Sequence, residues 1–302
     1  MKKESLPPAI EALLAPSASL YPQAEDWKPT QKKHSLSGDF RLHRQFPSAY
    51  LNYARDIIVY LPPGYKRTRL RRYPVLYMHD GNNIFDTATS FAGIEWQVDE
   101  HVERLVKAKQ LEEIIVVGIY NSPDREFEYT WTPMLQADGV TRGGDGRKYA
   151  RFLTEELKPF IDHVYRTRPE PEYTGVAGSS LGGLISFYLG IYYRHVYSRI
   201  GMLSPSLWWN HYQILEEVQA LDTGLKIWVD MGTEEGASPE ETITWTTRLV
   251  ARLEHQGYTC DQDLRFWLDY GAQHNEAAWA RRVGEMLLFF YPRRPTLKKT
   301  KI

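Results

Sequence analysis

Six consecutive residues carry the sharpest chemical signal in this chain, Gly178-Ser179-Ser180-Leu181-Gly182-Gly183. Within them, Gly178-x-Ser180-x-Gly182 has the spacing of a turn that presents a serine between a strand and a helix. Such a turn needs glycine on both sides, because a Cβ there would meet the chain as it passes itself. It lifts the hydroxyl out of the bend. It also aims the next backbone N–H, here that of Leu181, at the oxygen that becomes negative during acyl transfer. Two other uses of a glycine-rich turn compete. A phosphate loop requires Gly-Lys-Ser/Thr after its glycines, and Gly183-Leu184-Ile185 stands there instead. A plain packing turn stays open on these residues alone. Ser179 occupies the variable position, so Ser180 is the expected nucleophile.

A serine hydroxyl needs a base, and the base needs an acid to orient it. Around a strand–turn–helix serine the chain order is serine, acid, histidine. Four histidines follow Ser180: His195, His211, His255 and His274. His195 ends the helix after the serine and His255 lies within a later helix, positions that read as surface. His274 lies in Gly271-Ala272-Gln273-His274-Asn275, between the last strand and the last helix. It is the expected base, with His211 second. The acid candidates are Asp230, Glu234 and Glu235. Asp230 shares strand parity with Trp228 and should lie inside the strand, under a helix, satisfying neighbouring amides. Glu235 follows the turn at Gly232 and reaches the rim, so it is preferred, with Asp230 the alternative.

The second oxyanion amide is expected from the loop after an earlier strand, His79-Asp80-Gly81-Asn82-Asn83-Ile84-Phe85-Asp86. Gly81 lets the backbone approach closely, and Asn82 supplies the N–H. His79 and Asp80 are read as shaping this loop, because no further His/Asp cluster at ligand spacing accompanies them. No metal site is expected.

These residues need elements to hold them. Strand-like runs occur at Phe40–Gln45, Arg55–Leu61, Pro74–Met78, Glu113–Tyr120, Tyr173–Ala177, Ile200–Leu203, Lys226–Met231 and Leu264–Tyr270. Helical patterns lie between the later runs, at Lys148–Tyr165, Leu184–Tyr193, from Ser238-Pro239-Glu240-Glu241 onward, and at Asn275–Phe290. Alternation of this kind predicts an α/β domain, a mostly parallel sheet with helices on both faces. The first two strands are expected to be antiparallel at its edge. Residues 38–292 form one domain, preceded by an arm at 1–37 with a short helical patch at Ile10–Leu14. A basic tail, 293–302, closes the chain. The glycine-rich insertion Asn121–Lys148 follows a strand, and ligands bind beyond the carboxyl ends of strands in open α/β sheets.

Composition bounds the rest. The chain has 302 residues, is 42% hydrophobic and 25% charged, and carries a net charge of −1. That excludes disordered, collagen-like and coiled-coil classes. The lack of a basic surplus argues against a nucleic-acid partner. One cysteine, Cys260, allows neither an intrachain disulfide nor a zinc site built on several thiolates. No apolar run approaches the ~20 residues of a membrane helix, and no export signal is legible, so a cytoplasmic location is expected.

A family resemblance then emerges. The stretches that carry it are Tyr60-Leu61-Pro62-Pro63-Gly64-Tyr65, Tyr73 to Asp86, Arg125 with Glu128-Tyr129, and Gly178 to Gly183. Leu203-Ser204-Pro205-Ser206 with Trp208-Trp209, Gly232-Thr233-Glu234-Glu235, and Gly271 to His274 with Trp279 complete the set. Together they resemble the putative-esterase family of α/β-hydrolases. That family includes enterochelin esterases, feruloyl and acetyl-xylan esterases, S-formylglutathione hydrolases and mycolyltransferases. The resemblance implies the α/β-hydrolase fold, nucleophile Ser180, base His274, oxyanion amides of Asn82 and Leu181, and an acid at Glu235, where many members carry aspartate. It implies a serine esterase with no cofactor.

Only nineteen residues separate Ser206 from Lys226, too few for a large cap domain. An open site is therefore expected, walled by loops 83–96 and 121–146, with Asn83, Trp208 and Trp209 as substrate contacts. It would take short acyl or aryl esters of bulky alcohols, a small-molecule or oligosaccharide ester of sugar or siderophore type. Alternatives are an acyltransferase, a thioester hydrolase, or a non-catalytic binding protein on the same fold. A homo-oligomer is compatible with the sequence.

Overall fold

The computed structural model describes residues 34–293 and the backbone of residues 25–26. Most of the arm, including the helical patch expected at Ile10–Leu14, and the tail beyond residue 293 lie outside the described residues. Nine strands form one sheet in the order β1-β2-β3-β5-β4-β8-β9-β10-β11. The first three are β1 (Glu25–Asp26), β2 (Asp39–Phe46) and β3 (Arg55–Leu61). They pair antiparallel, and β3 is antiparallel to β5 (Ile115–Ile119). From β5 onward every neighbour is parallel: β4 (Val75–His79), β8 (Thr174–Ser179), β9 (Arg199–Leu203), β10 (Lys226–Gly232) and β11 (Leu264–Asp269). The strands β6 (Pro133–Leu135) and β7 (Thr141–Gly143) pair with each other, antiparallel, outside this sheet.

The strand residues explain this layering. β4, β5 and β8 are buried at every position, as strands covered on both faces must be. Along β3, Ile57, Val59 and Leu61 enter one core, while Ile58 and Tyr60 enter the other. The sheet therefore separates two apolar layers, each closed by helices. The helix Leu181–Tyr192 packs on one face, and the helices Val98–Lys107 and Glu276–Phe290 pack together on the other. The expected helix at 148–165 is found as Gly146–Arg151 and Lys158–Val164, joined by a π-helical segment, Phe152–Leu157. The helix Val98–Lys107 was not singled out from the sequence.

Strand order also fixes where a ligand can sit. From β4 the chain moves one way to β5 and later returns to the other side of β4 as β8. The crevice beyond the carboxyl ends of strands at such a reversal is where open α/β sheets bind ligands. Residues 80–83 follow β4, and Ser180 follows β8. The sheet topology thus brings the two expected oxyanion segments to one crevice.

Candidate active site

Ser180 adopts φ 57°, ψ −124°, between the end of β8 and the helix Leu181–Tyr192. An L-residue so placed stores about 1–3 kcal/mol of strain that its surroundings must hold. The end of β9 does so: the Ser180 N–H donates to Leu203 O, and the Ser206 N–H donates to Ser180 O, both at 3.0 Å. A Cβ on Gly178 would fall 2.9 Å from the Gly182 carbonyl carbon, so the bend closes only on glycine. Leu181 is the first residue of its helix, and its amide has no partner within the helix. Ser180 Oγ lies 3.0 Å from Ser206 Oγ. Among the described residues, no hydrogen bond joins Ser180 to His274.

His274 and Glu235 are brought together. Nδ1 of His274 lies 2.7 Å from Glu235 Oε2, and the ring meets Trp279 edge-on at 5.0 Å. A carboxylate only accepts, so this contact puts the proton on Nδ1 and leaves Nε2 as the basic nitrogen. Glu235 is itself fixed through Oε1, which accepts from the Gly232 N–H at 2.7 Å and Ser204 Oγ at 2.6 Å. Burial works against the Glu235 charge, but the hydrogen bonds from His274 and Ser204 outweigh it and hold the carboxyl below its usual range. Glu234 is exposed.

Asp230 lies inside β10, fully buried. Its oxygens accept from the Ser204 N–H at 3.1 Å and from the Trp228 indole N–H at 2.7 Å. Burial pushes it up to about 6 against the pull of Arg282, whose Nε stands 3.4 Å away. Asp230 thus braces the end of β9. Of the other histidines, His195 and His255 are exposed. His211 lines a groove of about 1010 Å³ against the helix Pro239–His255, and that groove includes none of Ser180, Glu235 or His274.

Two residues here went unassigned in the sequence. Ser204, buried and at φ 45°, donates to Glu235 and accepts from the Trp279 indole and from Arg282 Nη2, both at 2.9 Å. Arg282 is completely buried behind Glu235, with Nη2 3.5 Å from Oε1. The motif Leu203-Ser204-Pro205-Ser206 was the available signal for Ser204. Nothing local marked Arg282.

The loop after β4 is built around Asp80, at φ 54°. Its carboxylate accepts two bonds from Arg125, at 2.6 and 2.8 Å, and one from Asn121 Nδ2 at 2.7 Å. Burial opposes the Asp80 charge, yet Arg125 and Asn121 hold its pKa low. His79 is buried with Nδ1 2.9 Å from the Tyr149 hydroxyl, and burial lowers its pKa to about 3. Both side chains are thus engaged in the loop. Gly81 lies flat on β5, where a Cβ would come 2.4 Å from the Gly118 carbonyl carbon. Asn82 follows it, half-buried at the crevice.

Of the expected substrate contacts, Trp209 needs correction. Trp208 is 51% exposed, but Trp209 is 2% exposed, packed in the core with its indole N–H on Thr132 O. A wide indole after a strand finds more apolar surface beneath the loop than outside it. Asn83 Oδ1 accepts from the Phe91 N–H and from Asn82 Nδ2, both at 2.9 Å, so it ties the following loop down. Phe91 and Tyr270, 89% and 82% exposed, stand on the same sheet edge after β4 and β11. Among the described residues, one group could share a metal ion, Glu95, Asp99 and Glu100, with ligand atoms within 4.8 Å. Burial, with a hydrogen bond to Glu100, raises the Asp99 pKa.

A mostly parallel nine-stranded sheet, covered on both faces and bearing a strained serine bend at its switch point, defines an α/β-hydrolase type of protein. The chain belongs to the putative-esterase family, whose model matches residues 48–290, and so to the ester hydrolases. It is 28% identical over 244 residues to the uncharacterised protein YbbA of Bacillus subtilis, covering 78% of this chain and 92% of that one. It is 28% identical to the ferri-bacillibactin esterase BesA of the same organism, over 48% of this chain and 52% of BesA. A solved ferulic acid esterase shares the fold with a TM-score of 0.64 at 18% identity, covering 83% of this chain and 97% of its own. Among the described residues no helix is long and apolar enough to cross a membrane.

Proposed function

We propose that this protein is a serine carboxylester hydrolase working through an acyl-enzyme. The observation that carries the reading is the Glu235–His274 pair on the sheet edge that also bears the strained Ser180 bend. Ser180 Oγ loses its proton to His274 Nε2 and attacks the ester carbonyl. The amides of Leu181 and Asn82 stabilise the resulting oxyanion. His274 returns the proton to the departing alcohol, and water repeats the sequence to free the acid. Glu235 orients the imidazole and stabilises its charged form.

The substrate we propose is a short acyl or aryl ester of a bulky alcohol, of sugar or siderophore type. The segment after Ser206 contributes only the turns Ile214–Glu217 and Val218–Ala220 before β10, so among the described residues no cap is inserted there. Exposed Trp208, Phe91 and Tyr270 offer flat apolar faces for a ring-bearing group. The test is turnover of p-nitrophenyl acetate with fluorophosphonate labelling and peptide mapping. Labelling at Ser180, lost in Ser180→Ala and kept in Ser179→Ala, is the expected result. Labelling of any other serine, or none, would refute it.

A further inference from the structure

A second hydroxyl stands beside the first. Ser206 Oγ lies 3.0 Å from Ser180 Oγ, and Ser206 is 4% exposed. Backbone contacts fix the pair: Ser206 N–H donates to Ser180 O, and Ser180 N–H donates to Leu203 O. Between them Pro205 packs against the first turn of the helix Leu181–Tyr192, where a Cβ on Gly183 would come 3.2 Å from it. The Ser206 hydroxyl is therefore held at the reacting oxygen by the frame that forms the bend.

We propose that Ser206 is a further catalytic residue, donating a hydrogen bond to Ser180 Oγ while that oxygen carries charge. This rests on the serine-esterase reading above. A hydroxyl has one proton to give. If Ser206 gives its own to Ser180, the Ser180 proton is free to pass to His274 Nε2. As it passes, negative charge grows on Ser180 Oγ, and a donor to a charged oxygen is roughly twice as strong as one to a neutral oxygen. The Oγ–acyl carbon bond then forms, the ester C–O bond breaks, and the alcohol leaves with the proton from His274. In the second half Ser180 Oγ is the leaving group, and the same donor stabilises it as the acyl bond breaks. Ser206 keeps its proton throughout. The amides of Leu181 and Asn82 act on the carbonyl oxygen, so Ser206 acts on a separate atom. The opposite direction, Ser180 donating to Ser206, would hold the nucleophile's proton away from the base and slow the reaction.

The direction can be read from rates. Fluorophosphonate inactivation and p-nitrophenyl acetate kinetics are measured on wild type, Ser206→Ala and Ser206→Cys, which keeps the shape but donates weakly. Removing one donor to a developing oxyanion costs about 10²–10³ in rate. Here we expect at least about tenfold slower inactivation and a matching fall in kcat, with KM within about twofold. The thermal midpoint should be unchanged, which a merely structural role would not give. Rates of Ser206→Ala at or above wild type overturn the proposal; if that variant does not fold, the same result in Ser206→Cys does so. A wild type not labelled at Ser180 would instead refute the serine reading, and this inference with it.

Discussion

Glu235 divides its oxygens between His274 and the Gly232–Ser204 cradle, whereas Asp230 gives one to the Ser204 N–H at the end of β9 and the other to the Trp228 indole of its own strand. That division separates the two acids by experiment. Glu235→Gln leaves the shape but no longer stabilises an imidazolium. It is expected to lower kcat by about a hundredfold or more with little change in KM, the pattern of an interaction gained in the transition state. Asp230→Asn turns one amide N–H toward a donor, and a buried unsatisfied group costs about 1–3 kcal/mol. It should lower the melting temperature and leave most of kcat. A large kcat loss in Asp230→Asn at unchanged melting temperature, beside a near-normal Glu235→Gln, would reverse these roles. The placement of Ser180, Glu235 and His274 after strand ends, and the pairing of the last two, was legible because each follows a strand in a fixed chain order. Ser204 and Arg282 were not, because three elements distant in sequence meet behind Glu235 and leave no local pattern. Ser204→Ala removes the hydroxyl that steadies Glu235 and is expected to cost about tenfold or more in kcat, since misplacing a catalytic group by ~1 Å costs about 10².

Elements, rather than single residues, set the crevice proposed to hold the oxyanion. Residues 80–83 leave β4 in a left-handed step at Asp80, and Arg125, beyond β5, clamps that step with two hydrogen bonds. Strands and main helices were readable from runs and periods: the sequence places strands at 55–61 and 226–231, and the structure has Arg55–Leu61 and Lys226–Gly232. The π-helical segment Phe152–Leu157 was not readable, because an extra residue in one turn leaves the apolar pattern nearly intact. Nor was the left-handed step, since an aspartate there owes its geometry to a partner 45 residues away. The clamp carries a pH signature. The folded Asp80 pKa is depressed, so its contribution is fully present above the unfolded value of about 3.9 and is lost as pH falls through the lower folded value. The wild-type melting temperature should therefore fall below about pH 4 more steeply than that of Asp80→Asn, which has already lost the charge. Parallel curves for the two proteins would show that the clamp adds no acid-labile stability. At neutral pH, Asp80→Asn should also lower kcat as the loop loses its two-point anchor.

At the scale of the molecule, the two apolar layers are closed by the sheet's own helices, and among the described residues no comparable helix covers the reacting edge. In many α/β-hydrolases an inserted helical cap encloses a long acyl chain; here the segment between β9 and β10 holds only single turns. Trp209, which could have widened the apolar wall, is drawn into the core instead, leaving Trp208 exposed. An acyl chain of many methylenes gains about 0.8 kcal/mol for each CH₂ removed from water, and an uncapped crevice removes few of them. Lengthening the acyl group should therefore stop improving binding after a few carbons. We expect kcat/KM on p-nitrophenyl esters to be highest between acetyl and butyryl and to fall for octanoyl and longer chains. Long-chain triglycerides should be poor substrates with no increase at an oil–water interface. Aryl acyl groups and large alcohols should be accepted, because Trp208, Phe91 and Tyr270 present broad faces without enclosing them. A kcat/KM that climbs with each added methylene up to long chains, with activation at an interface, would mean that the loops at 83–96 and 121–146 close over the substrate as a lid.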